Sequence, residues 1–291
     1  MHTLLPRPSF RVLVLYLTLA LVAAAALESR TSAATVTLTG QLHPLHGDPS
    51  EGSGLAPRTV YRLLEDDGSE TELDLDVALL QPGGPAAFER QRVTITGDDV
   101  STADRRIVRV ESIVLVGPAS PPIQPPLLGS IPFVTILCRF ADSASYSPFA
   151  KADIEALMGS SHPGLDHYFR EISFNQMNLG GSTVVGWYDL PQPRSYYVDE
   201  NGVNFTRARL DCTAAADADV NFLDFDGINL AFNQILDGSS WGGTSLATLD
   251  GQTRSYGITF IAPNSRHGTW AHEMGHALTW PHSSGTYGVV N

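Results

Sequence analysis

The first third of the chain alternates apolar and polar positions in short runs. Five such runs lie between residues 35 and 116, in "TVTLTGQLHPL", "TVYRLLE", "ETELDLDV", "QRVTITG" and "RRIVRVESIVLV". Glycine, proline and aspartate clusters separate them, and a period of two residues predicts half-buried β-strands. We therefore expect a small all-β domain at residues 35–116, either an OB-like barrel or a sandwich. His43 and His46 flank Pro44, and we interpret them as surface histidines of a turn.

The pattern changes after a proline-rich segment. Residues 117–130 include prolines at 118, 121, 122, 125 and 126, which favour an extended linker over a regular element. Residues 131–291 then alternate strand-like runs, such as "FVTILCRF", with helix-like runs, such as "GLDHYFREIS". This order predicts an α/β (α+β) domain, in which the last helix, roughly Arg266 to Thr279, packs beneath a mixed twisted sheet. We call residues 35–116 the β region and residues 131–291 the α/β region.

The N-terminus has the features of a secretory signal peptide. Arg7 and Arg11 precede an apolar run from Val12 to Ala26, and the segment that follows includes the small residues Ser32, Ala33 and Ala34. A basic start, a short apolar core and small residues at a cleavage site are typical of export signals, whereas a membrane-spanning helix needs about 20 apolar residues. We predict a signal peptide at residues 1–34, with cleavage after Ala26 or after Ala34. The mature protein is then secreted and has no membrane partner.

The net charge limits the possible binding partners, and the cysteine content limits the possible kinds of metal site. The formal net charge is -13, which argues against nucleic acid and anionic membranes as partners. The two cysteines, Cys138 and Cys212, form no CxxC pattern, which excludes a cysteine zinc site. Export permits a disulfide between them, and burial as free thiols is the alternative. Nothing in the composition sets the oligomeric state.

The segment "WAHEMGHALTWPH" near the end of the chain contains three of the nine histidines. His272 and His276 are four residues apart, so on a helix their rings project from one face and can bind one Zn²⁺. Glu273 follows the first ligand and can serve as general base toward a water molecule at the metal. His282 lies six residues beyond His276, and Pro281 should end the helix and let the chain bend back, so that His282 becomes the third ligand.

A second segment rich in oxygen donors, "DADVNFLDFDG", is a weaker candidate for a metal site. It contains Asp217, Asp219, Asn221, Asp224 and Asp226. Carboxylates and amides that alternate before a glycine resemble a Ca²⁺ loop, although the spacing does not match the twelve-residue EF-hand. The alternative is a solvated turn after a helix.

Together with these motifs, the sequence of residues 131–285 resembles that of a known protein family. They are similar to the catalytic domain of secreted metzincin-type zinc metallopeptidases of the immune-inhibitor-A-like and gametolysin-like kind. Beyond the zinc motif, the resemblance rests on "LDHYFREISFNQMNLGGSTVVGWYDLP", "PRSYYV" and "AADADVNFLDFDGIN". It implies a zincin-like fold and hydrolysis of peptide bonds, with Glu273 as the catalytic base. It implies three metal ligands, His272, His276 and His282.

The sequence departs from the family pattern at two places. Thr279 occupies the turn position where metzincins carry glycine, and because a β-branched residue resists positive φ, we expect this turn to be built differently. Metzincins also place a methionine turn downstream of the third ligand. Only nine residues follow His282, and none is methionine. We therefore expect the C-terminal part of the catalytic domain to be missing.

The zinc motif and the departures from the family pattern lead to two hypotheses about function. The first is a secreted zinc-dependent endopeptidase that acts on a protein or peptide substrate. The second is a non-catalytic exported zinc-binding module that acts through its β region as an adhesin or regulator. The β region is alternatively a propeptide, and since residues 27–130 contain no cysteine, such a propeptide would not block the zinc with a thiolate.

Overall fold

The computed structural model describes residues 33–50, 53–117, 127–263 and 265–280. Most of the predicted signal peptide, the centre of the proline-rich linker and the predicted ligand His282 lie outside these residues. The chain is mixed α/β and consists mostly of strands with a few helices. Among the described residues, no helix combines the length and the apolar character needed to cross a membrane.

The β region contains the five strands that its alternating pattern predicts. They are β1 (Thr35–Pro49), β2 (Arg58–Glu65), β3 (Glu70–Asp74), β4 (Arg92–Asp99) and β5 (Ile107–Leu115). Strand β1 pairs with both β2 and β4, β2 pairs with β3, and β5 pairs with β3 and β4, so the five strands close into a ring. Of the two architectures that the pattern allowed, this arrangement is barrel-like. A short helix α1 (Pro85–Phe88) lies between β3 and β4.

The α/β region contains nine further strands. They are β6 (Gly129–Ser130), β7 (Phe133–Arg139), β8 (Met177–Asn178), β9 (Thr183–Asp189), β10 (Val198–Asp199), β11 (Gly202–Val203), β12 (Gly227–Phe232), β13 (Ser239–Leu249) and β14 (Gln252–Ile261). Five of them extend the sheet of the β region to ten strands, in the order β1-β13-β14-β12-β7-β9. Strands β14, β12, β7 and β9 are parallel to one another, whereas β13 is antiparallel to both β14 and β1. The other four form two small two-stranded sheets, β6–β8 and β10–β11.

Helices cover both faces of this sheet. They are α2 (Lys151–Met158), α3 (Leu165–Ile172), α4 (Arg194–Tyr197), α5 (Phe205–Ala216) and α6 (His267–Ala277). Alternate side chains of β7 enter two different cores, as the period of a strand requires. Ile136 and Cys138 pack in a core with helix α5, whereas Phe133 and Leu137 pack in a core with helices α2, α3 and α6.

The two cysteines link the sheet to a helix. Cys138 of β7 and Cys212 of α5 form a disulfide, with their Cα atoms 6.2 Å apart. Both side chains are fully buried in the core between β7 and α5. Of the two alternatives for these cysteines, the structure has the disulfide.

The β region and the α/β region are not separate bodies. The predicted boundary at residues 117–130 lies mostly outside the described residues, but the strands on its two sides join one sheet, because β1 is long enough to pair with β2, β4 and β13. Contacts group the chain from Thr35 onward into one compact unit. The barrel nevertheless keeps a core of its own, formed by residues such as Leu42, Val93 and Ile113.

One sequence-based interpretation is wrong in this part of the fold, and one strand has no clear signal in the sequence. His43 and His46 are not surface histidines of a turn, since both lie inside β1 with exposures of 4% and 3%. Pro44 does not interrupt the strand. The strand without a clear signal is β13, because "SSWGGTSLATL" is rich in glycine, serine and threonine, which are typical of loops. Its pairing with β1 and β14 on its two sides makes it a strand.

Candidate metal centre

Helix α6 brings two of the predicted ligands together. It spans His267–Ala277, close to the predicted helix, and places His272 and His276 one turn apart on one face. Their Nε2 atoms are 3.1 Å apart. His276 is buried, whereas the side chain of His272 is 44% exposed, so one ring is accessible from solvent.

The helix lies very close to strands β13 and β14 because both present glycine to it. A Cβ atom on Gly242 would collide with the carbonyl oxygen of Glu273, and one on Gly257 would lie 2.7 Å from the carbonyl oxygen of Ala277. Real Cβ atoms do not approach a backbone oxygen that closely. The two glycines therefore set the depth at which α6 and its histidines are held against the sheet.

A third group comes from strand β1, which the sequence analysis did not assign to the site. Asp48 Oδ2 lies 3.1 Å from Nε2 of His272 and 3.6 Å from Nε2 of His276. Asp48, His272 and His276 can hold a metal ion, and in the part of the chain that the structure describes they are the one group of histidine, cysteine and carboxylate residues arranged in this way. Two imidazoles and a carboxylate suit several divalent metal ions.

The ring of His276 is fixed from both sides. Its Nδ1 lies 2.9 Å from the carbonyl oxygen of Trp280, so Nδ1 carries the proton that it donates and Nε2 presents its lone pair to the site. The ring of His46 packs against it with a centroid distance of 4.5 Å. The backbone beyond the helix and the strand β1 thus hold one of the two imidazoles in a defined tautomer and orientation.

Glu273 is fully buried beside these groups. Its residue exposure is 0%, and within the described residues neither carboxylate oxygen has a hydrogen-bond partner. Burial, and to a lesser extent the negative charge of Asp48, raises the pKa of Glu273 well above its usual value. The pKa of His272 is also raised, because its ring donates a hydrogen bond to the carboxylate of Asp48, and burial opposes this only in part. A buried carboxyl group without partners is costly unless a cation or a proton compensates its charge.

The helix ends in a turn that contradicts our expectation for Thr279. Thr279 adopts a φ of 74°, the left-handed conformation that we expected a β-branched residue to avoid. The amide of Trp280 donates to the carbonyl of Gly275, and the amide of Thr279 donates to that of His276, which together form a Schellman motif. Arg90 also donates to the carbonyl of Thr279 at 2.7 Å. These bonds hold threonine where glycine is usual, so the turn has the ordinary geometry.

The remaining predicted site residues do not join this group. His282 lies outside the described residues. In the acidic segment, the side chains of Asp217, Asp219, Asn221, Asp224 and Asp226 are all exposed. Asp219 accepts a hydrogen bond from the hydroxyl of Tyr188, and Asn221 accepts one from the amide of Leu223. Among the described residues, the carboxylates of this segment do not come together as a group that could hold a metal ion.

Neither a model of a known protein family nor a curated protein sequence matches the chain. The resemblance to metzincins therefore depends on the zinc motif and the segments quoted above. Function has to be argued from the geometry of the site.

Proposed function

We propose that this protein is a secreted zinc-dependent endopeptidase in which His272 and His276 bind Zn²⁺ and Glu273 is the general base. The observation that carries this proposal is the 3.1 Å separation of the two Nε2 atoms on α6. A buried carboxyl group without hydrogen-bond partners follows the first histidine on the same helix. His282 is proposed as the third histidine ligand, as its spacing in the sequence predicts.

The spacing of the donor atoms supports zinc as the metal. Ligands held by one tetrahedral Zn²⁺ at about 2.0–2.2 Å lie about 3.3–3.6 Å from one another. The separations among Asp48, His272 and His276 are 3.1, 3.1 and 3.6 Å. The bond from His276 to the carbonyl of Trp280 is also the kind of contact that orients metal-binding histidines.

In the proposed hydrolysis, His272 and His276 bind the metal and Glu273 transfers the proton. When bound, Zn²⁺ would polarise a peptide carbonyl and lower the pKa of water at the site to about 7. His272 and His276 would hold the cation through Nε2. The carboxylate of Glu273 takes the proton of the attacking water and returns it to the nitrogen of the departing amine. Its burial keeps this proton transfer away from bulk solvent.

Two features outside the site support the fold and location that the proposal requires. The α/β region has a mixed sheet with one antiparallel strand, β13, next to the site and α6 packed on β13 and β14, which is compatible with a zincin-like catalytic domain. The disulfide between Cys138 and Cys212 is compatible with export, because disulfides persist in oxidising compartments.

Metal content and a single substitution at Glu273 test the proposal. We expect about one zinc ion per chain after purification without chelator, and no zinc in the double variant His272→Ala, His276→Ala. Glu273→Gln should retain zinc and lose hydrolysis of unfolded casein by orders of magnitude, because it removes only the base. Glu171→Gln, a change at an exposed glutamate of α3, is the matched control. Zinc-free protein, or unchanged hydrolysis by Glu273→Gln, would refute the proposal.

The non-catalytic zinc-binding module remains the second candidate, and one observation favours it. Asp48 lies where a third protein group can close the metal site, and structural zinc sites have four protein ligands and no open position. If the chain binds zinc but neither the native protein nor an Asp48→Ala variant cleaves casein, this second function is the correct one.

A further inference from the structure

Strand β2 of the barrel extends beyond its partner β3, so the sheet opens between them. The two strands pair antiparallel as far as Tyr61 opposite Leu73. Strand β2 continues from Tyr61 to Arg58, whereas β3 ends at Asp74. On its other side, this extension of β2 stays paired with β1. One edge of β2 therefore faces a gap in the place that a longer β3 would occupy.

The backbone of Thr59 points into this gap. Backbone groups of successive strand residues are directed to opposite edges of the strand. In β2 the amide of Glu65 donates to the carbonyl of Ser69 on the side of β3, so the odd-numbered residues of β2 face β3. Within the described residues, no hydrogen bond joins the backbone of Thr59 to the chain that follows β3. Thr59 thus offers one amide and one carbonyl to a further strand.

A cavity of about 660 Å³ lies on the barrel side of the gap. Thr59 and Tyr61 line it from β2, and mostly apolar residues that follow β3 line it from the other side, among them Leu75, Val77 and Ala78. Tyr61 is only 4% exposed, and its hydroxyl has no hydrogen-bond partner in the described part of the chain. An apolar cavity of this size with one polar group suits an apolar side chain.

A second cavity, of about 710 Å³, lies on the opposite face of β2. Thr59 lines both cavities, but Tyr61 lines the first and Val60 the second, as the alternation of a strand requires. Six charged residues line the second cavity: Glu72, Asp74, Asp104, Asp199, Arg105 and Arg109.

Arg105 is the buried member of this charged set. Its side chain is 6% exposed, and it lies 3.6 Å from Glu72 and 3.9 Å from Asp199. It donates to the carbonyl of Gly202 at 2.9 Å, while its Nε has no partner among the described residues. Even with Arg207, which pairs with Asp104 from outside the lining, carboxylates outnumber guanidinium groups here. The second cavity therefore favours a basic side chain.

We propose that the gap between β2 and β3 binds an extended peptide segment of another protein, in which an apolar residue is next to a basic one. The segment adds to β2 antiparallel, in line with β3, and pairs with Thr59. Because successive side chains of a strand point to opposite faces, the apolar residue opposite Thr59 enters the first cavity and its basic neighbour the second. This binding site goes beyond the proposed hydrolysis and does not depend on the metal.

A short synthetic peptide of alternating valine and lysine tests the proposal. Its binding is measured by calorimetry with the full chain carrying Glu273→Gln, so that the peptide is not cleaved. We expect binding by the valine–lysine peptide and none by a valine–glutamate peptide of the same length. Methylation of the valine amides should abolish binding, because these amides face Thr59. Methylation of the lysine amides is the matched control and should leave binding unchanged, since they face away.

Substitutions in the protein locate the site. Thr59→Pro removes the free amide at an edge that tolerates proline, and should weaken binding about three- to tenfold, whereas Thr59→Val keeps the amide and should not. Ala78→Trp fills the apolar cavity and should weaken binding at least about tenfold. Asp199→Asn should weaken it about two- to fivefold, and Glu111→Gln, which makes the same change in net charge at an exposed residue of β5, should have no effect.

Three results would overturn the proposal. The first is no binding of the valine–lysine peptide at about 1 mM. The second is equal binding of the valine–glutamate peptide. The third is equal binding of the two methylated peptides, which would mean that the cavity accepts an apolar group without strand addition. None of these results bears on zinc content or casein hydrolysis, so the proposed function stands or falls separately.

Discussion

His43 is a buried histidine whose surroundings oppose its protonation. Its Nδ1 lies 2.5 Å from the hydroxyl of Thr244, and its Nε2 lies 3.3 Å from the side-chain oxygen of Gln41. Burial, followed by the positive charges of Arg62 and Arg90, lowers the pKa of His43 to about 3, and Glu70 opposes this only in part. The ring is therefore neutral in the folded protein between about pH 7.5 and pH 5.

The low pKa of His43 makes the stability of the folded chain depend on pH. In the unfolded chain the pKa of histidine is about 6.5, so the unfolded state takes up the proton first as the pH falls. The stabilisation that His43 contributes as a neutral ring is fully present above pH 6.5, and it is lost progressively as the pH falls from there toward pH 3. Between pH 7.5 and pH 5 the native chain should lose roughly 2 kcal/mol more unfolding free energy than a His43→Gln variant. Urea unfolding in the presence of chelator measures this difference.

A matched variant isolates the effect. His162→Gln removes a histidine that is exposed, and it should lose as much stability as the native chain between the two pH values. Equal pH dependence in the native chain and in His43→Gln would mean that the buried ring is protonated in the folded state.

At the scale of elements, the metal site depends on how close α6 lies to the sheet. The sequence of β13 contains Gly242 where the backbone of Glu273 passes, and β14 contains Gly257 where α6 ends. Any side chain at these positions would lift the helix away from β13, on which β1 and Asp48 are also held. Gly242, one of the residues that make the sequence of β13 resemble a loop, is thus required by the packing of α6.

Gly242→Ala should therefore weaken both the fold and the site. Because an added methyl group meets backbone, which cannot rotate away, we expect a loss of about 1–3 kcal/mol in unfolding free energy and weaker zinc binding. Gly268→Ala is the matched control, since a Cβ atom at this position of α6 meets nothing within 4 Å. Alanine there should stabilise the helix by up to about 1 kcal/mol. Chelator competition and urea unfolding measure the two effects, and a neutral Gly242→Ala would show that α6 is free to shift.

At the scale of the whole molecule, a buried ionic network joins the barrel to the α/β region. Glu70 of β3 lies 3.5 Å from guanidinium nitrogens of both Arg62 and Arg209, which belong to β2 and α5. It also accepts hydrogen bonds from the hydroxyl of Ser245 and the amide of Leu246 on β13. Burial alone would raise the pKa of Glu70. The charges of Arg62 and Arg209, together with the hydrogen bonds from Ser245 and Leu246, outweigh burial and lower the pKa below its usual value. The carboxylate is therefore charged and shared between the two regions.

Glu70→Gln should destabilise both regions together. It leaves two buried guanidinium groups without their carboxylate, and the loss of one partner from a buried pair costs about 3–5 kcal/mol. We expect one cooperative transition in urea, shifted to lower concentration, with hydrogen exchange accelerated in β2 and in α5 alike. Glu155→Gln, which removes an exposed pair with Lys151, should change stability by less than about 1 kcal/mol. Faster exchange confined to the barrel would mean that the two regions unfold independently.

The sequence by itself determined the features that depend on neighbours along the chain. The period of two residues identified the five strands of the β region, and the spacing of His272 and His276 placed both rings on one helix face. The tertiary structure alone decided which distant groups meet them: Asp48 is separated from His272 by 224 positions, and its role depends on the pairing of β1 with β13. His46 and Thr279 were misjudged for the same reason, because burial and positive φ at these residues are stabilised by contacts from other elements. Local periodicity carries no information about such long-range contacts, since they are fixed only when the sheet is assembled.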